Sequence, residues 1–324
     1  MSEIAPFTGY DDRVKLADVV PLESPYVLNI FPSNACNLRC VYCVHALSKD
    51  DLEERYQFRH EIMSMDTFNN IFQFERRFKL ISFTGQGEPL LNKNLPLMIR
   101  IAKIYADRVD IVTNGVLLHK ELNAKLIDSG LDILRISLQG VNQDEYLKIG
   151  QRKLNFDSFI DNITDFYVQS RGKCKLYVKI INLSSQKNFF EMFGGITDRM
   201  FVEQVKPVYH GVDYSKWDMS PDTDRRGLEH PRRDVCPFPF YQLDVWPNGD
   251  VVPCPAIHKI VLGNVNEMSL KDMWNSDKLR KFRMMHLSGD RGYHHQCGVC
   301  CAPDDCAHPE DVLDDNAEEI LRRI

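Results

Sequence analysis

Tyr26-Val-Leu-Asn-Ile-Phe-Pro-Ser-Asn-Ala-Cys36-Asn-Leu-Arg-Cys40-Val-Tyr-Cys43 is the stretch on which the reading of this chain turns. Residues 26–31 read as a strand, and a cysteine loop follows at once. Three thiolates within eight residues can hold three corners of an iron–sulfur cube. Such cubes are normally held by four cysteines, so a missing fourth leaves one iron open to a small ligand. Structural zinc with His45 as a fourth ligand is the alternative, although zinc ligands usually come as two separated pairs.

Outward from this loop, strand-like and helix-like segments alternate. Leu80–Thr84, Val109–Thr113, Ile133–Leu138, Leu176–Ile181 and Phe201–Val208 read as further strands. Apolar residues at helical spacing cover 64–74, Leu95–Tyr105, Lys120–Ser129 with Gly130 as its C-cap, Phe156–Ser170 and Asn188–Met200. Six strand-plus-helix units predict an α/β fold: a parallel sheet with helices outside, forming a partial, open six-unit β/α barrel over 26–208. In such folds the site lies at the carboxyl ends of the strands. Residues 1–25 precede the barrel as an N-terminal extension, and 209–235, rich in charge and proline, form a linker. A small C-terminal domain is expected over 236–310 and a tail over 311–324. In that domain Tyr241–Val245 and Val251-Val252 flank Asn248-Gly249, a hairpin signal, and Ser269–His286 reads as one amphipathic helix capped by Ser269. A hairpin and one helix bury little, and structural metal commonly compensates for so thin a core.

The chain has 324 residues, with 40 basic against 46 acidic side chains and a formal charge of −6. That balance disfavours a protein that lives on nucleic-acid phosphates. No apolar run reaches the roughly 18–20 residues of a membrane span, and the first residues lack the features of a signal peptide. A cytoplasmic protein without nucleic-acid or membrane partners is expected. In that compartment ten cysteines point to metal rather than disulfides. They form two groups, Cys36, Cys40 and Cys43 and then Cys236, Cys254, Cys297, Cys300, Cys301 and Cys306, with Cys174 alone.

Cys36-Asn-Leu-Arg-Cys40-Val-Tyr-Cys43 resembles the signature of the radical S-adenosylmethionine (SAM) superfamily, including Tyr42 before the last cysteine. The resemblance spans about 26–208. It implies a 4Fe–4S cluster on Cys36, Cys40 and Cys43 whose open iron chelates SAM, with Tyr42 against the adenine. Reductive cleavage of SAM then gives a 5′-deoxyadenosyl radical, and an electron donor such as flavodoxin or ferredoxin is implied. Gly85-Gln86-Gly87-Glu88-Pro89 is similar to the family's glycine-rich segment that binds the SAM amine. Asn114 and Ser137, at the ends of the third and fourth strands, match positions that contact SAM's ribose and carboxylate. The family's fifth-strand glycine motif is not evident.

By spacing, Cys236, Cys254, Cys297 and Cys300 could close a four-thiolate site for zinc or an iron–sulfur cluster. The arrangement looks like the SPASM/twitch module of radical SAM enzymes, as does Leu262-Gly-Asn-Val-Asn-Glu with Leu270-Lys-Asp-Met-Trp274. That resemblance implies one auxiliary 4Fe–4S cluster, since no cysteine follows Cys306 to complete a second. Cys301 and Cys306 are then spare: buried thiols, substitute ligands or hydrogen-atom donors. Cys174 is a further donor candidate.

The expected function is a radical SAM oxidoreductase that dehydrogenates a hydroxyl-bearing small molecule, a sugar or cyclitol, and passes an electron to the auxiliary cluster. Lys179, Arg135, His210 and Tyr214 are candidates for its base or for orienting substrate. Arg225-Arg226 and Arg232-Arg233 could fork a phosphate or form a solvated linker face. A peptide modifier of the same superfamily is one rival, weakened because only 35 residues precede Cys36. A zinc-stabilised, non-catalytic binding module is the other.

Overall fold

The computed structural model describes residues 2–324 except 57, 74–76, 218, 220–221, 231 and 256–259; the side chains of Arg55 and Cys306 also lie outside the described set. Its strands are β1 (Glu3–Ile4), β2 (Val27–Ile30), β3 (Phe78–Phe83), β4 (Ala106–Thr113), β5 (Ile133–Leu138), β6 (Lys175–Ile181), β7 (Arg199–Glu203), β8 (Gln242–Val245), β9 (Asp250–Val252) and β10 (Gly263–Asn264). They form one ten-stranded sheet ordered β1-β7-β6-β5-β4-β3-β2-β8-β9-β10. Pairing is parallel from β1 through β8 and antiparallel across β8, β9 and β10. The six expected barrel strands are β2 to β7, and the sheet stays open. The Asn248-Gly249 hairpin is β8–β9.

Alternation along the strands divides the sheet into an apolar and a polar face. Leu28, Ile30, Ile81, Phe83, Val109, Ile111, Leu134, Ile136, Val178, Ile180, Leu243 and Val245 join a single hydrophobic core under the helices. Their alternate neighbours include Asn29, Ser82, Asp110, Arg135, Lys179, Glu203, Gln242 and Asp244, which face the barrel lumen. Parallel strands covered on both faces are usually apolar throughout; here one face lines a cavity.

The lumen stays stable because its polar groups find one another. Asp244 accepts from Asn29 Nδ2 at 2.7 Å and Gln242 Nε2 at 3.0 Å, and burial pushes its carboxyl up to about 7. Asp110 accepts from Ser82 Oγ and, at 3.2 Å, from Arg135 Nη1. Lys179 Nζ meets Glu203 at 2.6 Å. At the amino ends of the strands the N-terminal segment plugs the lumen, with the Phe7 ring 3.5 Å from the Arg135 guanidinium carbon. Arg13 Nη1 holds both oxygens of the buried Asp311 at 2.6 Å.

Several elements differ from expectation. The helix expected over Asn188–Met200 is Gln186–Phe193, because Gly194-Gly195 end it and β7 starts at Arg199. For the same reason the last strand lies earlier than 201–208. The first helix ends at Ile71 rather than at Phe74, which is outside the described residues. Ser269–His286 is two helices, Leu270–Trp274 and Asp277–Leu287, since Ser276 Oγ accepts from Leu279 N at 3.2 Å and starts the second. The helices that were unforeseen include Lys49–Tyr56, Gln143–Ile149 and Ala317–Arg323. The C-terminal region is also not thin: β8 extends the barrel sheet beside β2, and Val251, Leu270, Met273 and Trp274 belong to the barrel's own core.

Replacing Arg13 with Met leaves the Asp311 carboxylate buried and unpaired. Thermal unfolding should register a loss of about 3 kcal/mol. Adding Asp311→Asn to the same chain should recover part of it, because an amide needs no counter-cation.

Candidate functional site

The cysteine loop is held from outside and presents its thiols inward. Arg39 N donates to Gly150 O at 3.1 Å, Val41 N to Ile149 O at 2.9 Å, and Arg152 Nη1 to Asn37 O at 2.8 Å. Burial pushes Cys36 up to about 12 and raises Cys40 and Cys43; in the first two, the neighbouring thiols raise it further. Three gathered soft donors that hold their protons until a metal displaces them fit an iron–sulfur centre. His45 Nε2 donates to Gln86 O at 2.5 Å, and its ring packs edge-on against Phe58.

The glycine segment after β3 lies directly against the start of this loop. A Cβ on Gly87 would stand 2.6 Å from Ala35 O and closer still to Ser33 O; one on Gly85 (φ +122°) would strike the Phe31 ring. Glu88 N donates to Ala35 O at 2.8 Å. The Glu88 carboxylate is buried and accepts from Leu90 N (3.0 Å), Thr113 Oγ1 (2.6 Å) and Asn114 N (2.8 Å), so it ties the end of β3 to the end of β4. Burial raises its pKa against the pull of those three donors. Asn114 Nδ2 donates to Asn37 Oδ1 at 2.6 Å and lies 3.9 Å from Cys36 Sγ. Tyr42 donates to Gln139 Oε1 at 2.5 Å. Ser137 is half-buried on β5, in register with Lys179.

The second thiol set flanks the hairpin and follows the last long helix. Cys236 precedes helix Phe238–Tyr241, Cys254 comes two residues after β9, and Cys297 and Cys300 lie past Asp277–Leu287. All four line one cavity of about 360 Å³, with Cys301, Thr84, Gly85, Gln86, Tyr209 and His286 also in its wall. Burial raises Cys236, and its neighbours Cys300 and Cys297 raise it further; burial pushes Cys297 up to about 11. Four thiols around one cavity are a donor set that suits a closed iron–sulfur site.

Gln86, which the sequence offered only as part of a motif, joins the two thiol sets. Its side chain accepts from Tyr209 Oη at 2.8 Å and donates to Pro255 O, next to Cys254, at 2.6 Å. Tyr214 completes the link: its hydroxyl accepts from Tyr209 N at 3.2 Å and donates to Tyr42 O, beside Cys43, at 2.9 Å. The Tyr214 hydroxyl is therefore spent as a clamp.

A second cavity, about 210 Å³, occupies the lumen and is lined by Asn29, Ser82, Arg135, Lys179, Glu203 and Arg225 among others. Burial lowers Lys179 against the pull of Glu203; burial would raise Glu203, but Lys179 and Arg225 hold it below the ordinary range. His210 is exposed on the upper cavity, and its carbonyl accepts from Tyr56 Oη. Cys174 is remote, in the apolar core at the amino end of β6, where burial pushes it up to about 12. Cys301 borders the Asp305–Arg225 pair and is also pushed up to about 12 by burial; the Cys306 side chain lies outside the described residues.

None of the linker arginines is a free phosphate fork, and Arg232 alone among them is exposed. Arg225 Nε meets Asp305 at 3.0 Å, Arg233 donates to Ala307 O at 3.0 Å, and Arg226 pairs with Asp224 at 3.3 Å. The exposed Arg232 pairs with Asp234 at 3.3 Å. Arg225, Arg226 and Arg233 dock the linker onto helix Ala302–Cys306 and the turn beyond it.

An open parallel β/α barrel with three thiols past its first long strand, and a further thiol set past a hairpin, defines a class that the comparisons name. Residues 30–169 match the radical SAM superfamily, and residues 236–302 match the SPASM iron–sulfur cluster-binding domain. The chain belongs to the radical SAM superfamily and carries a C-terminal SPASM domain, so it is a radical SAM enzyme whose cofactors are 4Fe–4S clusters and SAM.

Among curated relatives, the SAM-dependent 2-deoxy-scyllo-inosamine dehydrogenase of Niallia circulans is 25% identical over 85% of this chain and 92% of its own length. The GTP 3′,8-cyclase of Chlorobaculum tepidum is 37% identical, but over 39% of this chain; the match spans only 36% of that protein. The crystal structure of BtrN in complex with AdoMet and 2-DOIA shares the fold at a TM-score of 0.53 and 22% identity, covering 85% of this chain and 92% of that one. No described helix is long and apolar enough to cross a membrane.

Gly87→Ala should abolish SAM binding and lower iron retention by forcing the glycine segment off the cysteine loop. Gly195→Ala, where a Cβ meets open space, should leave both unchanged. Equilibrium dialysis with SAM and iron analysis read the difference.

Proposed function

We propose that this enzyme dehydrogenates a hydroxyl-bearing small molecule, a sugar or cyclitol, and delivers one electron of the oxidation to an auxiliary 4Fe–4S centre on Cys236, Cys254, Cys297 and Cys300. The observation that carries the reading is the cavity of about 360 Å³, whose wall contains both the glycine segment of the barrel and all four of those thiols. The polar lumen beneath suits a ligand rich in hydroxyls, and the dehydrogenase relative spans nearly the whole chain.

With SAM on the cluster of Cys36, Cys40 and Cys43, the bound groups supply a 5′-deoxyadenosyl radical that takes the carbinol hydrogen atom and an acceptor for the remaining electron. The protein must orient the carbinol, take its hydroxyl proton and exclude water. Among the candidate bases, Arg135 is engaged by Asp110 at 3.2 Å, the Tyr214 hydroxyl is committed to Tyr42 O, and His210 is exposed. Lys179 and Glu203, half-buried and 2.6 Å apart in the lumen, remain as the pair that takes the proton. Tyr42, Gly85, Gly87, Asn114 and Ser137 would border SAM when it is bound, with Glu88 holding the ends of β3 and β4 together. Phe7 and Arg13 close the lumen from below.

Anaerobic reconstitution should yield about eight irons and eight sulfides per chain. Replacing Cys36, Cys40 or Cys43 with Ala should remove about half of that iron and all 5′-deoxyadenosine formation. Cys297→Ala should remove the other half and spare SAM cleavage. The product should have lost two electrons without gaining solvent deuterium. Deuterium uptake with inverted stereochemistry would replace dehydrogenation with epimerisation.

Lys179→Met and Glu203→Gln should each slow ketone formation by about 10²-fold or more while 5′-deoxyadenosine formation continues. Equal loss of both products would take the proton-transfer role away from the pair.

A further inference from the structure

The second thiol cavity contains a polar side chain with no role among its four cysteines. Helix Asp277–Leu287 buries Leu279, Phe282 and His286, the spacing of a core-facing stripe on which an apolar residue is expected. His286 is 1% exposed, and neither Nδ1 nor Nε2 has a hydrogen-bond partner. By contrast, the buried His45 donates to Gln86 O, and the half-buried His294 Nδ1 accepts from Cys297 N at 3.2 Å. A buried imidazole without partners is costly enough that native structures rarely keep one unless an unseen group completes it.

Its surroundings identify that group. The Phe282 ring meets His286 edge-on at 4.9 Å and His294 at 6.1 Å, and His294 Nδ1 in turn accepts from Cys297 N. His286 lines the same cavity as Cys236, Cys254, Cys297 and Cys300. Four thiolates already satisfy a 4Fe–4S cluster, so a fifth protein group nearby serves as a hydrogen-bond donor and not as a ligand.

We infer that His286 donates a ring N–H hydrogen bond to a sulfur of the auxiliary centre and so raises that centre's reduction potential. This rests on the reading that the four cysteines carry a 4Fe–4S cluster. The reduced cluster bears one more negative charge than the oxidised one, and in a site of low dielectric an N–H dipole aimed at it favours the reduced form. His286 is then a positioning residue for the electron, making the centre a better acceptor without touching substrate.

The test is a redox titration of the reconstituted holoenzyme followed by electron paramagnetic resonance, with the SAM-binding cluster as internal reference. His286→Leu should retain full iron and sulfide, and the auxiliary potential should become more negative while the reference stays fixed. Exchangeable-proton hyperfine coupling at the auxiliary centre should disappear. His286→Asn, which keeps an N–H donor, should fall between His286→Leu and the unmodified chain; it also serves if the leucine variant does not fold. An unchanged auxiliary potential at full iron content overturns the inference. So does loss of about half of the iron from both variants, which would make His286 a ligand. If the unmodified protein holds iron for only one cluster, the cluster reading fails instead, and iron analysis before titration separates the two failures.

Discussion

The site depends on a backbone contact that tolerates no side chain. Gly87 brings the chain after β3 against the carbonyls of Ser33 and Ala35, and the Glu88 amide then bonds Ala35 O. That contact presses the segment leaving one strand onto the loop that carries three thiols from the neighbouring strand. Glu88 extends it to the next strand, because its carboxylate accepts from Thr113 and Asn114 at the end of β4. Three strand ends are thus fixed relative to one another by short hydrogen bonds, and the thiols inherit their geometry.

The barrel interior shows what a functional lumen costs. Burying Asp110 and Asp244, and half-burying Lys179 and Glu203, is unfavourable unless each meets a partner, and pairing at best roughly balances the desolvation. An apolar interior would be at least as stable. These groups are held by pairs such as Lys179–Glu203 and Asn29–Asp244, an arrangement that departs from optimal packing and so marks a place shaped for binding. The N-terminal segment closes this interior with the Phe7 ring over Arg135, which shields a cation without neutralising it.

The C-terminal domain is an extension of the barrel more than an appendage. Because β8 lies parallel beside β2, the hairpin shares the strand whose end carries Cys36, Cys40 and Cys43. The Gln86, Tyr209 and Tyr214 hydrogen bonds fasten the two thiol sets across the gap, and the linker arginines secure it through Asp305 and Ala307. Strong anchoring suits electron transfer, whose efficiency depends on the two sites keeping a constant separation.

Local spacing in the chain was enough to place the thiol loop, the strand and helix rhythm, the Asn-Gly hairpin and the two groups of cysteines, since each is set by residues a few positions apart. The division of Ser269–His286 was also written locally, in Ser276, but the apolar periodicity running across it hid the cap. Sequence alone could not show that Lys179 would meet Glu203, that Asn29 would meet Asp244 from 215 positions away, that Gln86 would span to Pro255, or that the Tyr214 hydroxyl would be spent on Tyr42. Nor could it show that His286 would face thiols without a partner. Those outcomes depend on strand register and on which edge of the sheet receives β8, and both follow from contacts between distant segments that form only when the whole sheet assembles.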